Sequence, residues 1–281
     1  DMHIDRGEIY GFIGQNGAGK TTLMKVICGL ANKSSGSFRL FDSEDIRKGR
    51  ENIGCVIEQP ALFPKMTGMD NLLYYAKLKG CEKTTDFFGL LQLVGLADTG
   101  KMKAGRFSLG MKQRLSIAIA MLGEPEFLIL DEPMNGLDPM GIHQFRELFL
   151  RLRGQGITIL ISSHILGELE KIATKYGIIN QGILVDEFSV KELQSKLTQY
   201  LRIHVNDVEK AVEVIGVHWP EFTIKQTPEG MLTLCGVSGQ AAEINAALIR
   251  EGIEVSHLAM EGQDMESYFL ERMGTGNAKY H

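Results

Sequence analysis

Residues Gly14 to Thr21 read GQNGAGKT. They fit the spacing G-x-x-x-x-G-K-[ST], in which glycines let backbone N–H groups turn inward around phosphate oxygens. The apolar run before them, GEIYGFIG, reads as a strand. The segment after them, KTTLMKVICGL, reads as a helix with Leu23, Val26 and Ile27 on one face. That order points the positive end of the helix at the same anion. In this pattern Gly14, Asn16, Gly17, Ala18, Gly19 and Thr22 belong to a nucleotide cradle. Lys20 reaches the β- and γ-phosphates, and the Thr21 hydroxyl is a Mg²⁺ ligand.

A second place for chemistry is FLILDEP, where a buried-strand pattern ends in Asp131 and Glu132. Two acids at the end of an apolar strand are costly unless they are solvated or have a task. Alone, solvation ahead of the turn at Pro133 is as good a reading as function. After a phosphate loop the functional reading gains: Asp131 suits a contact to Mg²⁺, and Glu132 suits polarising an attacking water. His164 follows the next apolar run, ITILISSH, which places it beside the γ-phosphate, although a lone histidine is more often structural. Gln59 follows the strand-like NIGCVIEQ and is placed to sense the same Mg²⁺ and water. FSLGMKQRL, from Phe107, is a turn opening a helix, with Ser108 as its cap.

These residues need a scaffold. EFLILDEP and ITILISSH are short, continuous apolar runs, the pattern of strands buried on both faces. GIHQFRELFLRLRGQG between them is helical, so strand, helix and strand imply a parallel sheet. SGSFRLFD also reads as a strand. Between about residues 67 and 123 the spacing is mostly helical, as in MDNLLYYAKLK and TDFFGLLQLVGL. Near Ser189–Thr198 the character changes. QYLRIHV, VEKAVEVIG, EFTIKQT, MLTLCGV, QAAEINAALIREG and IEVSHLAM then run β-α-β-β-α-β, a split βαβ, ferredoxin-like unit, ahead of a last helix DMESYFLERMG and a loose tail.

Bulk properties agree with a globular chain. It has 281 residues, 44% hydrophobic and 23% charged, with 30 basic against 35 acidic residues and a net charge of -5. That balance gives no basic footprint, so nucleic acid is not expected as a partner. No apolar run reaches bilayer length, and the start lacks the pattern of a signal peptide. Cys28, Cys55, Cys81 and Cys235 are scattered, suit small core residues, and with the motifs favour a reduced, cytoplasmic setting.

The order of the phosphate loop, Gln59, FSLGM, LILDEP, NGLDP and SSH resembles the ATP-binding cassette (ABC) ATPases throughout residues 7–182. FSLGM stands where that family usually carries L-S-G-G-Q; Ser108 and Gly110 match, whereas Leu109 replaces the first glycine and Met111 the glutamine. The resemblance implies an α/β P-loop NTPase with a RecA-like parallel core and a helical subdomain. It gives a cassette over 1–194 and a small α+β, ferredoxin-like domain over 195–281. It implies ATP and Mg²⁺ as ligands, with Lys20, Gln59, Glu132 and His164 as catalytic residues and Thr21, Gln59 and Asp131 at the metal. It also implies two subunits closing head to tail, with Ser108 and Gly110 on the γ-phosphate of the partner and Asp138 of NGLDP linking the two sites. The region after Gln59 resembles the part that receives an integral-membrane permease, which would hold the chain at the inner face of the membrane. The family's adenine-stacking aromatic lies upstream of the first strand here, which suggests that about twenty residues precede Asp1.

Unrelated P-loop kinases and GTPases do not carry the FSLGM, NGLDP and SSH ensemble. DNA-maintenance relatives insert a long coiled coil that is missing here, and translation-factor relatives carry two cassettes. SLGMKQRL with the short C-terminal unit resembles bacterial drug and peptide-antibiotic exporters, such as the bacitracin and lantibiotic-immunity ATPases, more than importers with longer β-rich domains.

Overall fold

A computed structural model describes residues 1–272 except 44, 59–60, 165, 197–198, 228–230, 238 and 263–264. It divides into two units, Asp1–Val190 with Phe269–His281, and Lys191–Tyr268. The division therefore falls before the expected 194/195 boundary, and the chain from Phe269 returns to the first unit. Phe269 stacks on Phe188 and meets Tyr176 edge-on, aromatic packing that ties this end of the chain to the first unit.

The first unit begins with β1 (Ile9–Ile13) and α1 (Lys20–Cys28), then α2 (Ile46–Glu51) and β2 (Ile53–Val56). Next come α3 (Gly68–Lys79), α4 (Phe87–Leu93) and α5 (Leu109–Ala120). They are followed by β3 (Phe127–Leu130), α6 (Pro139–Gly154), β4 (Thr158–Ser163), α7 (Leu166–Leu169), β5 (Lys175–Asn180), β6 (Ile183–Ser189) and α8 (Val190–Lys196), which crosses the boundary. The sheet order is β2-β3-β4-β1-β5-β6. All neighbours pair parallel except β5 with β6. Strands β1, β3 and β4 are buried at every residue, as covered parallel strands should be. Tyr10 fits among them because Gly177 leaves room for its ring, and its hydroxyl donates to Glu187 Oε1 at 2.8 Å. Burial, with the Glu187 carboxylate beside it, pushes that phenol far above the usual range.

Helices α3, α4 and α5 form the helical part expected over 67–123. α3 opens with a capping box, Thr67 and Asp70 satisfying each other's backbone N–H groups, and ends on Gly80 in the left-handed region. α5 lies so close to β2 that a side chain on Gly54 would strike the Ala120 carbonyl. SGSFRLFD forms no strand: its only ladder contact among the described residues is an isolated bridge, Leu40 to Ser43. Without a neighbouring strand its backbone groups have no ladder to join. Cys55 is exposed rather than a core residue, and the other three cysteines are half-buried.

The second unit holds β7 (Gln199–Val205), α9 (Val208–His218), β8 (Thr223–Gln226), β9 (Met231–Cys235), α10 (Ala241–Arg250) and β10 (Val255–Gly262). Its antiparallel sheet runs β10-β7-β9-β8, the order of a ferredoxin-like unit. Alternate residues Leu201, Ile203, Val205, Leu232 and Leu234 pack on Ala211, Ile215, Ile244 and Leu248 of the helices. A last helix, α11 (Met265–Arg272), spans the boundary. The expected tail after it lies outside the described residues.

Candidate active site

Strands β3, β4 and β1 are consecutive neighbours in the sheet and run parallel, so their C-terminal ends share one edge. That edge is where open α/β sheets bind ligands. The phosphate-type loop leaves β1, the acidic pair leaves β3, and His164 leaves β4. The pairing of Leu130 with Ile161 sets Asp131 level with Ser162.

The loop is shaped by its glycines. A Cβ on Gly14 would lie 2.5 Å from the Ile179 carbonyl oxygen, and Gly19 sits at φ 109°, where a side chain is strained. Ala18 is buried; its N–H donates to the Gln15 carbonyl at 3.1 Å, and its carbonyl accepts from Gly182 N–H at 2.8 Å. Gly17, at φ 81°, Asn16 and Thr22 are exposed. α1 begins from Gly19 with no side-chain cap, so its first N–H groups are left for solvent or a ligand.

Lys20 is 6% exposed. Its Nζ donates to the Gly14 and Gln15 carbonyls, at 2.6 and 3.2 Å, and lies 3.6 Å from Glu132 Oε1. The Thr21 hydroxyl donates to Asp131 Oδ2 at 2.7 Å. The Ser162 hydroxyl donates to Asp131 Oδ1 at 2.6 Å and accepts from the Glu132 N–H at 2.9 Å. His164 Nδ1 is 2.7 Å from Glu132 Oε2. Glu132 itself has φ 49°. A non-glycine residue held there costs about 1 kcal/mol or more, and persists only where its surroundings over-determine it. Here Ser162, Lys20 and His164 do so. Glu132 Oε1 is buried and, among the described residues, accepts no hydrogen bond. A carboxylate oxygen in that state is suited to take a proton or orient a water.

Five of the expected residues, Lys20, Thr21, Asp131, Glu132 and His164, thus form one network. Gln59 lies outside the described residues. Ser108, Gly110 and Asp138 form a separate group. Ser108 Oγ accepts from Met111 N–H at 3.2 Å and caps α5. A Cβ on Gly110 would lie 3.2 Å from Leu137 Cδ2, and Asp138 Oδ1 accepts from Gly141 N–H at 3.1 Å to cap α6. A cleft of about 700 Å³ is lined by Asp131, Glu132 and Pro133 together with Leu109 and Gln113 of α5. Sequence reasoning missed Ser162, which fixes both acids. Its signal was a hydroxyl that stays fully buried near the C-terminal end of a strand, beside Ser163 and after the apolar run Ile159–Ile161.

The family model described as ABC transporter matches residues 1–135. The bacitracin transport ATP-binding protein BcrA of Bacillus licheniformis is 38% identical over 98% of this chain and 92% of that protein. The lantibiotic transport ATP-binding protein SrtF of Streptococcus pyogenes is 44% identical over 66% of this chain and 81% of that protein. Among solved structures, an ATP-binding subunit of an ABC transporter superposes with a TM-score of 0.59 at 30% identity, covering 69% of this chain and 84% of the other. A dimeric ATP-binding cassette in a post-hydrolysis state with ADP and Pi gives 0.59 at 23% identity over 67% and 88%, a likeness of fold.

Proposed function

The chain belongs to the ABC transporter family, and we propose that it serves there as the ATP-hydrolysing subunit of a peptide-antibiotic exporter. The observation that carries this reading is the network joining Lys20, Glu132 and His164 to the Thr21–Asp131 pair. ATP sits on the Gly14–Thr22 loop with its phosphates at the uncapped start of α1. Lys20 holds the β- and γ-phosphates. Thr21 and Asp131 present hard oxygen donors in mutual contact at 2.7 Å, a set that fits Mg²⁺, with Gln59 as a further ligand. When bound, that ion neutralises charge on the phosphates. Glu132 orients the attacking water and draws its proton as the water oxygen bonds to the γ-phosphorus and ADP leaves. His164 keeps Glu132 in place. The contribution of the chain is mainly positioning and charge stabilisation.

A second copy supplies Ser108 and Gly110 over the γ-phosphate, with Asp138 at the boundary between copies. Opening and closing of the pair drives an integral-membrane permease. No helix among the described residues is long and apolar enough to cross a membrane. The chain rests on the permease at the cytoplasmic face. The names of the bacitracin and lantibiotic relatives support a peptide antibiotic as cargo.

The test is the solution size of Glu132→Gln with and without MgATP. Slow turnover should trap a dimer that Ser108→Arg abolishes. A chain that binds ATP yet stays monomeric contradicts the self-pairing. Unchanged bacitracin and lantibiotic sensitivity on deleting the gene contradicts the cargo.

A further inference from the structure

Leu109 departs from the family's usual signature, and its surroundings give it a task. It is 47% exposed at the first turn of α5. The buried part of its side chain lies against the loop between Glu132 and α6: a Cβ on Gly136 would come within 3.0 Å of Leu109 Cδ2. Gly136 is at φ 73°, so the loop turns sharply where Leu109 covers it. One helical turn further along α5, Gln113 Nε2 donates to the Asn135 carbonyl at 3.2 Å. The amide must face that way, because its oxygen cannot bond a carbonyl. Gln113 Oε1 is then left buried with no hydrogen-bond partner among the described residues, on the wall of the cleft that Glu132 also lines. Asn135 N–H in turn donates to the Glu132 carbonyl at 3.1 Å. A short path therefore runs from the turn that carries Ser108, through Leu109 and Gln113, to the peptide that follows the left-handed Glu132.

We propose that Leu109 and Gln113 are positioning residues that clamp the Asn135–Leu137 loop to the start of α5. The Ser108 turn and the Glu132 backbone then move as one piece. The inference rests on the two-subunit ATPase reading. There, Ser108 of a chain touches the nucleotide of its partner while Glu132 of the same chain works on its own. The clamp thus lets occupancy of one site set the Glu132 geometry in the other. Half of Leu109 is in water, so it contributes little to the fold, and its loss is felt chiefly in the placement of the loop.

The experiment compares the full chain with Leu109→Gly, Leu109→Met and Gln113→Leu. The readouts are amide exchange at Asn135–Leu137 without nucleotide, thermal midpoint, and kcat, KM and Hill coefficient for ATP. Leu109→Gly should speed exchange in that loop and lower kcat about tenfold, since small misplacements of catalytic groups cost up to about a hundredfold. KM should stay within about twofold, the Hill coefficient should fall towards one, and Leu109→Met should restore all of these. Gln113→Leu should share the loss of kcat and the faster exchange. Wild-type exchange and kcat in Leu109→Gly overturn the clamp. So does a kcat loss that Leu109→Met fails to rescue. If the unmodified chain hydrolyses no ATP, the ATPase reading falls, and the exchange comparison alone then decides whether the clamp exists.

Discussion

Helices α1 and α5 both aim their N-termini at places where an anion is expected, yet they are built differently. α1 starts from Gly19 in the left-handed region, has no capping side chain, and puts a buried lysine at its first position. α5 starts from Ser108 in extended geometry, and that side chain already satisfies the Met111 N–H. An uncapped end with glycine on its doorstep leaves its N–H groups for a ligand. A capped end has spent one donor, and its hydroxyl must divide itself between helix and ligand. The first site is assembled within one chain, with Lys20, Thr21 and the two acids in mutual contact. The second is an exposed turn, to which, in the two-subunit arrangement proposed above, another copy brings the phosphate.

This difference can be broken most forcefully at α1. Lys20→Ala removes the cation from between Glu132 and the loop carbonyls. ATPase activity should fall at least about a hundredfold, the scale of losing one charge-stabilising group in a closed site. Measured nucleotide affinity should fall with it. If Lys20→Ala keeps its turnover, α1 is not the phosphate site and the comparison collapses. Ser108→Ala should act less and elsewhere. Losing the cap costs about 1 kcal/mol, a fall of a few degrees in melting temperature at most. Binding of one ATP per isolated chain should be unchanged, whereas ATP-driven pairing should weaken. A Ser108→Ala chain that loses its own ATP affinity would place both helix ends in one site.

Much of this was legible because each piece is local. GQNGAGKT between a strand and a helix, DEP after a buried run and SSH after the next need only nearest neighbours to be read. The β-α-β-β-α-β order of the second unit could also be read, because its strands alternate. What could not be read depends on pairing. Nothing in SGSFRLFD says that a neighbouring strand is lacking. Ser162 gains its meaning only when the β3–β4 register sets it beside Asp131. Leu109 reads in the sequence only as a replacement for the signature's first glycine; its contact with the loop at Gly136 shows in the fold alone. The return to the first unit at Phe269 goes with an aromatic cluster, Tyr176, Phe188 and Phe269, that no spacing announces.

The far end of α1 offers the smallest effect and the sharpest control. The thiols of Cys28, its last residue, and the exposed Cys55 of β2 act on each other's ionisation, a relation that their scattered positions hid. Its interaction with Cys55, and burial, hold the Cys28 thiol far up. The interaction with Cys28, with Lys79 adding its charge, holds the Cys55 thiol below the ordinary range. Alkylation needs the thiolate. Cys55 should therefore react faster at pH 7 than Cys81 or Cys235, and its rate should level off below the usual thiol pKa of about 8.5. Cys28→Ala removes that neighbouring thiol, so the half-rise should move to higher pH. The rate at pH 7 should drop with it, about tenfold where the half-rise climbs by about one pH unit. Peptide-resolved mass spectrometry after iodoacetamide measures both. ATP should change neither, because the helix places some 12 Å between its two ends. A Cys55 rate that tracks Cys81 at every pH would show that the thiols do not meet. A rate that responds to ATP would show that α1 shifts as a rod when its N-terminus is filled, and the contrast with α5 would then be one of motion as well as capping.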